Sequence, residues 1–271
     1  MNNSCAIIAG AGGFPLHVAQ EARRQGLRVV AIGLQGWADP GLTKHVDAYA
    51  EVAVGQLGRL IEQLKAHQVH RAVMAGKVTK EVLLDSRIGF DAEALGVLNQ
   101  VTDYSVSNLL GAIAQRLAKD GIELLDSSTF LKPNLCPVGV LTQRQPTSAE
   151  QEGIRIGTSA ARQLASLDVG QTVVVKGRVV VAVEALEGTD ATIQRAGQLA
   201  GRDCVVVKMA SPTQDMRFDL PVLGPQTIVT ASAAGASCVA VEAHKTLLLD
   251  KDQLFAHANA AQLALVGVEV P

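Results

Sequence analysis

Aromatic side chains are scarce in this chain, making up only 3% of its 271 residues, although 48% are hydrophobic. Its core must therefore be filled by Val, Ala, Leu and Ile, which suits buried parallel strands covered by helices on both faces. No run of Lys and Arg occurs and the net charge is -2, so charge gives no reason to expect nucleic acid or an anionic membrane as partner. No apolar run approaches the roughly 20 residues that span a bilayer, and the apolar stretch before Gly10 is too short for a secretory signal. The expectation is a cytoplasmic protein. Its four cysteines, Cys5, Cys136, Cys204 and Cys238, form no CxxC pair, and three lie in apolar runs, so they read as reduced core thiols. The six histidines form no HExxH, HxH or DxH pattern, which argues against a hydrolytic centre built from His and Asp.

What is present is an alternation of strand-like and helix-like segments. Cys5–Ala9 reads as a buried strand, followed by a glycine loop, a helix from about Leu16 to Gln25 stopped by Gly26, and a second strand in LRVVAIG. Leu57, Leu60, Ile61 and Leu64 recur at helical spacing within Gln56–His67, ahead of the strand RAVMAG. A helix over Leu109–Lys119 then leads to the strand IELLD. Repeated βα units of this length predict right-handed crossovers and a parallel sheet, hence a Rossmann-like α/β domain over residues 1–130. The pattern breaks in LKPNLCPVGVLTQRQPT, residues 131–147, whose three prolines and poor periodicity read as a linker. A second domain, mixed α/β over 148–271, opens with the capping signature Ser148-x-x-Gln151. It continues with a hairpin turning near Lys176-Gly177, a helix over Asp190–Leu199, the short strands CVVVK, CVAVE, TLLLD and ALVGV, and helices near Gln226–Ala234 and Lys251–Ala260.

Three places could carry chemistry. The loop Gly10-Ala11-Gly12-Gly13, between a strand and a helix, could bring backbone N–H groups to a phosphate. It departs from the dinucleotide fingerprint because Pro15 stands where glycine is needed, and the second strand ends in Gly33-Leu34-Gln35 without a ribose-binding acid. The second place is Glu187-Gly188-Thr189-Asp190, where acids at a helix start serve either as a cap or as strand-end ligands. The densest cluster runs from Lys208 through Gln214, Asp215, Arg217 and Asp219 to Pro221. Pro221 biases Leu220 toward extended geometry, so Asp215, Arg217 and Asp219 are expected to alternate onto one side of an extended loop. Carboxylates beside cations suit a Mg²⁺-assisted phosphoryl site.

The combination IIAGAGGFP, WADPGL, LDVGQTVVV, VAVEALEGTD and VKMASPTQDMRFDLPVLGP resembles the LpxI-type UDP-2,3-diacylglucosamine pyrophosphatases of lipid A biosynthesis over nearly the whole chain. The resemblance implies a Gram-negative enzyme of two α/β domains that uses Mg²⁺, or Mn²⁺, to cleave UDP-2,3-diacylglucosamine to UMP and 2,3-diacylglucosamine 1-phosphate. The family's R-x-D-L-P falls on Arg217, Asp219, Leu220 and Pro221, its E-G-T-D on Glu187 to Asp190, and its glycine loop on Gly10, Gly12 and Gly13. With the reading of the residues it assigns Asp219, Asp215, Arg217 and Glu187 to catalysis, and Asp219 and Asp190 to the metal. Gly10, Gly12, Gly13, Lys208, Thr189 and Gln214 are assigned to the substrate. One segment departs from the pattern: where relatives carry an acidic, small-residue stretch, this chain has Thr102-Asp103-Tyr104-Ser105-Val106-Ser107-Asn108, and Asp103 keeps part of it. The expected partners are the UDP-linked diacylated glucosamine and, transiently, the cytosolic face of the inner membrane, with no nucleic acid and with a homodimer as one assembly. Two competing readings are a non-catalytic nucleotide-binding regulator and an NAD(P)-dependent oxidoreductase, the latter disfavoured by Pro15.

Overall fold

A computed structural model of the chain describes residues 3–79, 81–82, 85–101 and 105–270, so Asp103 lies outside the described residues. The chain divides into two compact units. The first comprises Met1–Lys132 and Asp215–Asp219, and the second comprises Pro133–Gln214 and Leu220–Pro271.

The first unit runs β1 (Ser4–Ala9), α1 (Phe14–Arg24), β2 (Arg28–Leu34), β3 (Ala48–Val52), α2 (Leu57–Ala66), β4 (Arg71–Ala75), α3 (Ala92–Leu98), α4 (Val106–Lys119) and β5 (Glu123–Leu124). The strands lie in the order β3-β2-β1-β4-β5, and every pair is parallel. All six residues of β1 are buried, as a central strand covered on both faces must be. Ala6, Ile8, Val30 and Ile32 share a core with Leu57, Leu60, Ile61 and Leu64 of α2 and with Ala114 and Leu117 of α4. The helix-spaced leucines thus bury the face their periodicity marks. Pro15 sits in the first turn of α1, where its missing N–H breaks no helical bond.

The second unit runs β6 (Gly139–Val140), α5 (Ser148–Ser166), β7 (Thr172–Lys176), β8 (Val179–Val183), α6 (Thr189–Ala200), β9 (Cys204–Lys208), β10 (Val222–Leu223), α7 (Pro225–Ala233), β11 (Ala236–Glu242), β12 (Leu247–Leu248), α8 (Lys251–Ala260) and β13 (Ala264–Val268). Its main sheet has the order β6-β13-β11-β9-β7-β8. The centre, β9, β11 and β13, is parallel, while β7, β8 and β6 are each antiparallel to a neighbour. The hairpin between β7 and β8 turns at Gly177, whose φ of +58° is a glycine conformation. Helix α5 lies close on this sheet because Gly157 faces it: a Cβ there would stand 2.5 Å from a methyl of Val207. All four cysteines are buried and unpaired.

Two expectations change. The stretch 131–147 is not a free linker, because from Pro133 onward it belongs to the second unit. Cys136 is fully buried, Cys136 N–H donates to Thr246 O at 2.8 Å, and β6 pairs with β13. The prolines give irregular geometry, while backbone pairing holds the stretch in place. The cap of α5 is also shifted by one residue. Thr147 accepts from the Glu150 N–H and Glu150 accepts from the Thr147 N–H, closing the box one step earlier than Ser148-x-x-Gln151.

Glu150 fixes that register because it does a second task. Only 7% exposed, it takes a two-pronged contact from Arg144, at 2.7 and 3.0 Å. Burial pushes the Glu150 carboxyl up, but the Arg144 guanidinium and the cap outweigh this and bring it down to about 2 from an ordinary 4.5. A depressed carboxylate stabilises the fold fully above its unfolded pKa, and that contribution is lost as pH falls through the folded value. Glu150→Gln is therefore expected to cost about 2 kcal/mol at pH 7. The melting difference from wild type should shrink between about pH 4.5 and pH 2. A difference that stays constant across that window, followed by thermal melting, contradicts the assignment.

Candidate active site

In doubly wound sheets, ligands collect at the carboxyl ends of strands where the strand order reverses. In the first unit that point lies between β1 and β4. The loops leaving these strands are joined: Gly10 N–H donates to Ala75 O at 2.8 Å, and Ala11 and Lys77 exchange two bonds of 2.9 Å. A Cβ on Gly10 would stand 2.7 Å from Lys77 O, and one on Gly76 would stand 2.7 Å from the Gly10 carbonyl carbon. Gly10 is therefore glycine for the crossing of two backbones. Gly12 and Gly13, by contrast, are exposed. Gly12 has a φ of +90° with open space where a side chain would be, and Gly13 begins α1 without a side-chain cap. Of the three expected substrate contacts, these two present the helix start as an anion site would.

The segment Asp215–Asp219 folds with this same unit, although the sequence placed it in the second domain. Phe218 is 3% exposed and belongs to the core of β1, β2 and α2. Ser127, just past β5 and 1% exposed, donates its N–H to Met216 O at 2.8 Å. Its Oγ lies 2.8 Å from Arg217 O and 2.7 Å from Met74 O in β4. The segment is a turn, not the extended loop expected. Asp215 accepts from the Arg217 backbone at 3.0 Å and from its Nη2 at 2.6 Å, and Phe218 N–H donates to Asp215 O at 3.3 Å. An aspartate that bonds the backbone two residues on makes a turn, and burial of Phe218 completes it. The Arg217 guanidinium also stands 5.6 Å from the Phe218 ring centre. That hydrogen-bonded fork holds the Asp215 carboxyl below its usual range and raises Arg217. Asp215 and Arg217 thus answer each other. Asp219, exposed and with a φ of +53°, follows directly after Phe218.

The second unit gathers polar groups at one edge of its own sheet, where β9 and β11 end and β7 begins. Lys208 Nζ donates to Thr189 Oγ1 at 2.8 Å, Thr189 donates to Glu184 Oε1 at 3.0 Å, and the Thr172 hydroxyl is 3.3 Å from that of Thr189. Burial would raise the Glu184 carboxyl, but the charge of Lys208 and the two threonine hydroxyls hold it below its ordinary value. Beside this set, Glu242 at the end of β11 is 2% exposed. It accepts from Ala210 N–H at 3.1 Å and pairs with Lys245 at 2.9 Å and Arg162 at 3.5 Å.

The structure thus brings together Lys208 and Thr189, which the sequence offered in two separate places. Glu187 and Asp190 are engaged in holding α6. Glu187 accepts from Arg195 at 2.6 Å, which lowers its carboxyl, and Asp190 accepts from Thr227 of α7 at 2.9 Å. Gln214 lies in the second unit, with its N–H donating to Ser211 O at 3.0 Å. Among the described residues no three His, Cys, Asp or Glu side chains converge as a metal cage. Sequence reasoning missed Thr172, Glu184, Glu242 and Arg162. A signal was available: Val-Ala-Val-Glu-Ala occurs twice, at 181–185 and 239–243. Each copy runs an apolar strand into a glutamate. Because β8 opposes β7 and β7 opposes β9, both glutamates reach the same edge.

Comparison with known proteins divides the chain near the same point, between residues 133 and 137. The family model described as the LpxI N-terminal domain matches residues 4–133, and that described as the LpxI C-terminal domain matches residues 137–266. A relative from Caulobacter vibrioides, named UDP-2,3-diacylglucosamine pyrophosphatase LpxI, is 30% identical over 274 aligned residues, covering 97% of this chain and 96% of its own. Among solved structures, a biotin carboxylase from Campylobacter jejuni aligns at 13% identity with a TM-score of 0.29, covering 73% of this chain and 42% of that one. An N5-carboxyaminoimidazole ribonucleotide synthetase in complex with ADP aligns at 15% identity with a TM-score of 0.29, covering 74% and 45%. The chain spans less than half the length of these two structures, and similarity at that level carries no argument.

The cluster around Glu184 makes a quantitative expectation. Lys208→Met leaves a largely buried carboxylate without its cation and should cost about 3 kcal/mol. Adding Glu184→Gln should then recover at least about 1 kcal/mol, because coupled residues do not act additively. Denaturant unfolding of the two single variants and the double variant measures this, and strictly additive losses would refute the pairing.

Proposed function

The chain belongs to the LpxI family, and from that premise we propose that it hydrolyses the diphosphate of UDP-2,3-diacylglucosamine in lipid A biosynthesis. The observation that carries this reading is the end-to-end match to a relative named for that activity, at 30% identity over 97% of this chain and 96% of the relative. Water adds to one phosphorus, the P–O–P bridge breaks, and UMP and 2,3-diacylglucosamine 1-phosphate leave with release of a proton.

Asp219 is the leading carboxylate. Its exposure, directly after the buried Phe218 and two residues after Arg217, whose carbonyl Ser127 holds, supports a role on the substrate. There it would orient the attacking water or hold a divalent ion. Mg²⁺ is commonly held by one or two carboxylates, with waters and substrate phosphates filling its other positions, so Asp219 fits it without a three-residue protein cage. A bound Mg²⁺ would supply neutralisation of diphosphate charge and acidify a water. Gly12 and Gly13 offer the uncapped start of α1 to phosphate. Asp215 serves as a positioning residue, holding Arg217 by its fork. Lys208, with Thr189, is the cation we assign to substrate in the second unit. The substrate carries two acyl chains, and among the described residues no helix is long and apolar enough to cross a membrane. That supports transient work at the cytosolic membrane face.

The decisive substitution is Asp219→Asn, because Asn tolerates the φ of +53° at this position whereas Ala would add backbone strain. It should lower kcat for UMP release by about 100-fold or more with a near-native melting temperature. Asp215→Asn, which removes only a positioning contact, should retain activity within about tenfold of wild type. If Asp219→Asn keeps most of its rate, the carboxylate assignment is wrong. Exhaustive treatment with EDTA should abolish UMP release and added Mg²⁺ should restore it; full turnover by enzyme shown metal-free by elemental analysis would overturn the metal requirement.

A further inference from the structure

We infer that Ser127 is a positioning residue that sets Asp219 in register with the glycine loop; this rests on the role proposed above for Asp219. Ser127 is polar yet only 1% exposed, at a place beside the sheet that an apolar residue would fill at no desolvation cost. Its N–H and its hydroxyl both meet the turn. Two main-chain carbonyls of the Asp215–Asp219 turn end on it: the N–H of Ser127 holds Met216 O at 2.8 Å, and its Oγ lies 2.8 Å from Arg217 O. The same Oγ lies 2.7 Å from Met74 O.

The hydroxyl carries one proton and meets two carbonyls, so the turn and the end of β4 are coupled through a single oxygen. The residue after Met74 continues the chain of contacts: Ala75 O accepts from Gly10 N–H at 2.8 Å. A continuous path therefore runs from the loop that starts α1, through β4, to Ser127 and on to Arg217, two residues before Asp219. Asp219 itself has left-handed backbone geometry, a narrow well that leaves its direction set by the residues holding the turn. Phe218 anchors the turn in depth, by burial in the core. Apolar burial is non-directional, whereas a hydrogen bond is directional. Ser127 therefore supplies, beside the bond from Arg217 N–H to Asp215, the directional hold that ties the turn carrying Asp219 to the sheet.

The test uses the full chain and three measurements on Ser127→Ala and Ser127→Cys: steady-state kinetics of UMP release, thermal melting, and amide hydrogen exchange of residues 215–219. Ser127→Ala should reduce kcat by about 10- to 100-fold, since a misplacement near 1 Å costs about that much. KM should stay within about threefold and the melting temperature within a few degrees. Ser127→Cys, with a similar size and a weaker donor, should fall between Ala and wild type. Exchange at Arg217, Phe218 and Asp219 should quicken in Ser127→Ala while that of β1 and β2 does not. A kcat within twofold of wild type in a variant that melts normally overturns the inference. If Ser127→Ala does not fold, Ser127→Cys decides: a reduced kcat with native melting supports the role, and an unchanged kcat overturns it. If the wild type releases no UMP at all, the hydrolytic reading has failed and the register contact is judged by exchange alone, where equal rates in variant and wild type overturn it.

Discussion

The first unit depends on a contact between residues far apart in the chain. Ser127 and Arg217 are 90 positions apart, yet the turn containing Arg217 completes the core of the N-terminal sheet through Phe218. Burying one aromatic ring contributes about 2 kcal/mol or more, a large share of the few kcal/mol by which domains are stable. In a chain with only 3% aromatics, the site-bearing turn is held by one of the few large rings available. Attachment of the turn and integrity of the core are thus one interaction.

The same principle recurs in the second unit with other chemistry. There the carboxylates are held by charge: Glu242 by Lys245 and Arg162, Glu184 by Lys208 and two threonines. Pairs of this kind add little net stability, but losing one partner is costly because it leaves a buried charge alone. In the second unit the polar residues stand at strand ends, among partners whose single loss leaves a buried charge.

Much of the architecture was legible in the sequence, for physical reasons. The alternating strands and helices of the first sheet, the Gly177 hairpin and the helix over Lys251–Ala260 follow from periodicity and glycine placement, and the structure contains them. The strand Ala48–Val52 was not legible because it forms one edge of the sheet and only Val52 in it is buried, so no apolar run marks it. Proline content mistook an irregular, hydrogen-bonded stretch for a linker. The site was legible in composition but not in shape. Asp215, Arg217 and Asp219 sit two apart, which fits an extended strand, but the Asp215 carboxylate captures the Arg217 N–H and turns the chain. That choice depends on Phe218 finding a core in another part of the sequence, which no local pattern records. Glu184 and Glu242 were hidden because each reads as the polar stop of an apolar strand.

The exchange of five residues between the units also bears on how the protein is made. Synthesis is vectorial, and domains usually fold as they leave the ribosome, the first before the second. Here all five strands of the first sheet precede residue 132, while Phe218 follows most of the second unit. The first unit therefore leaves the ribosome one ring short, with an apolar gap open where the turn will dock. It is finished out of order, only after the second unit's α5, β7, β8, α6 and β9 have been translated. The carboxylate of Asp219 thus takes its place in the first unit only after the chain has passed through more than half of the second.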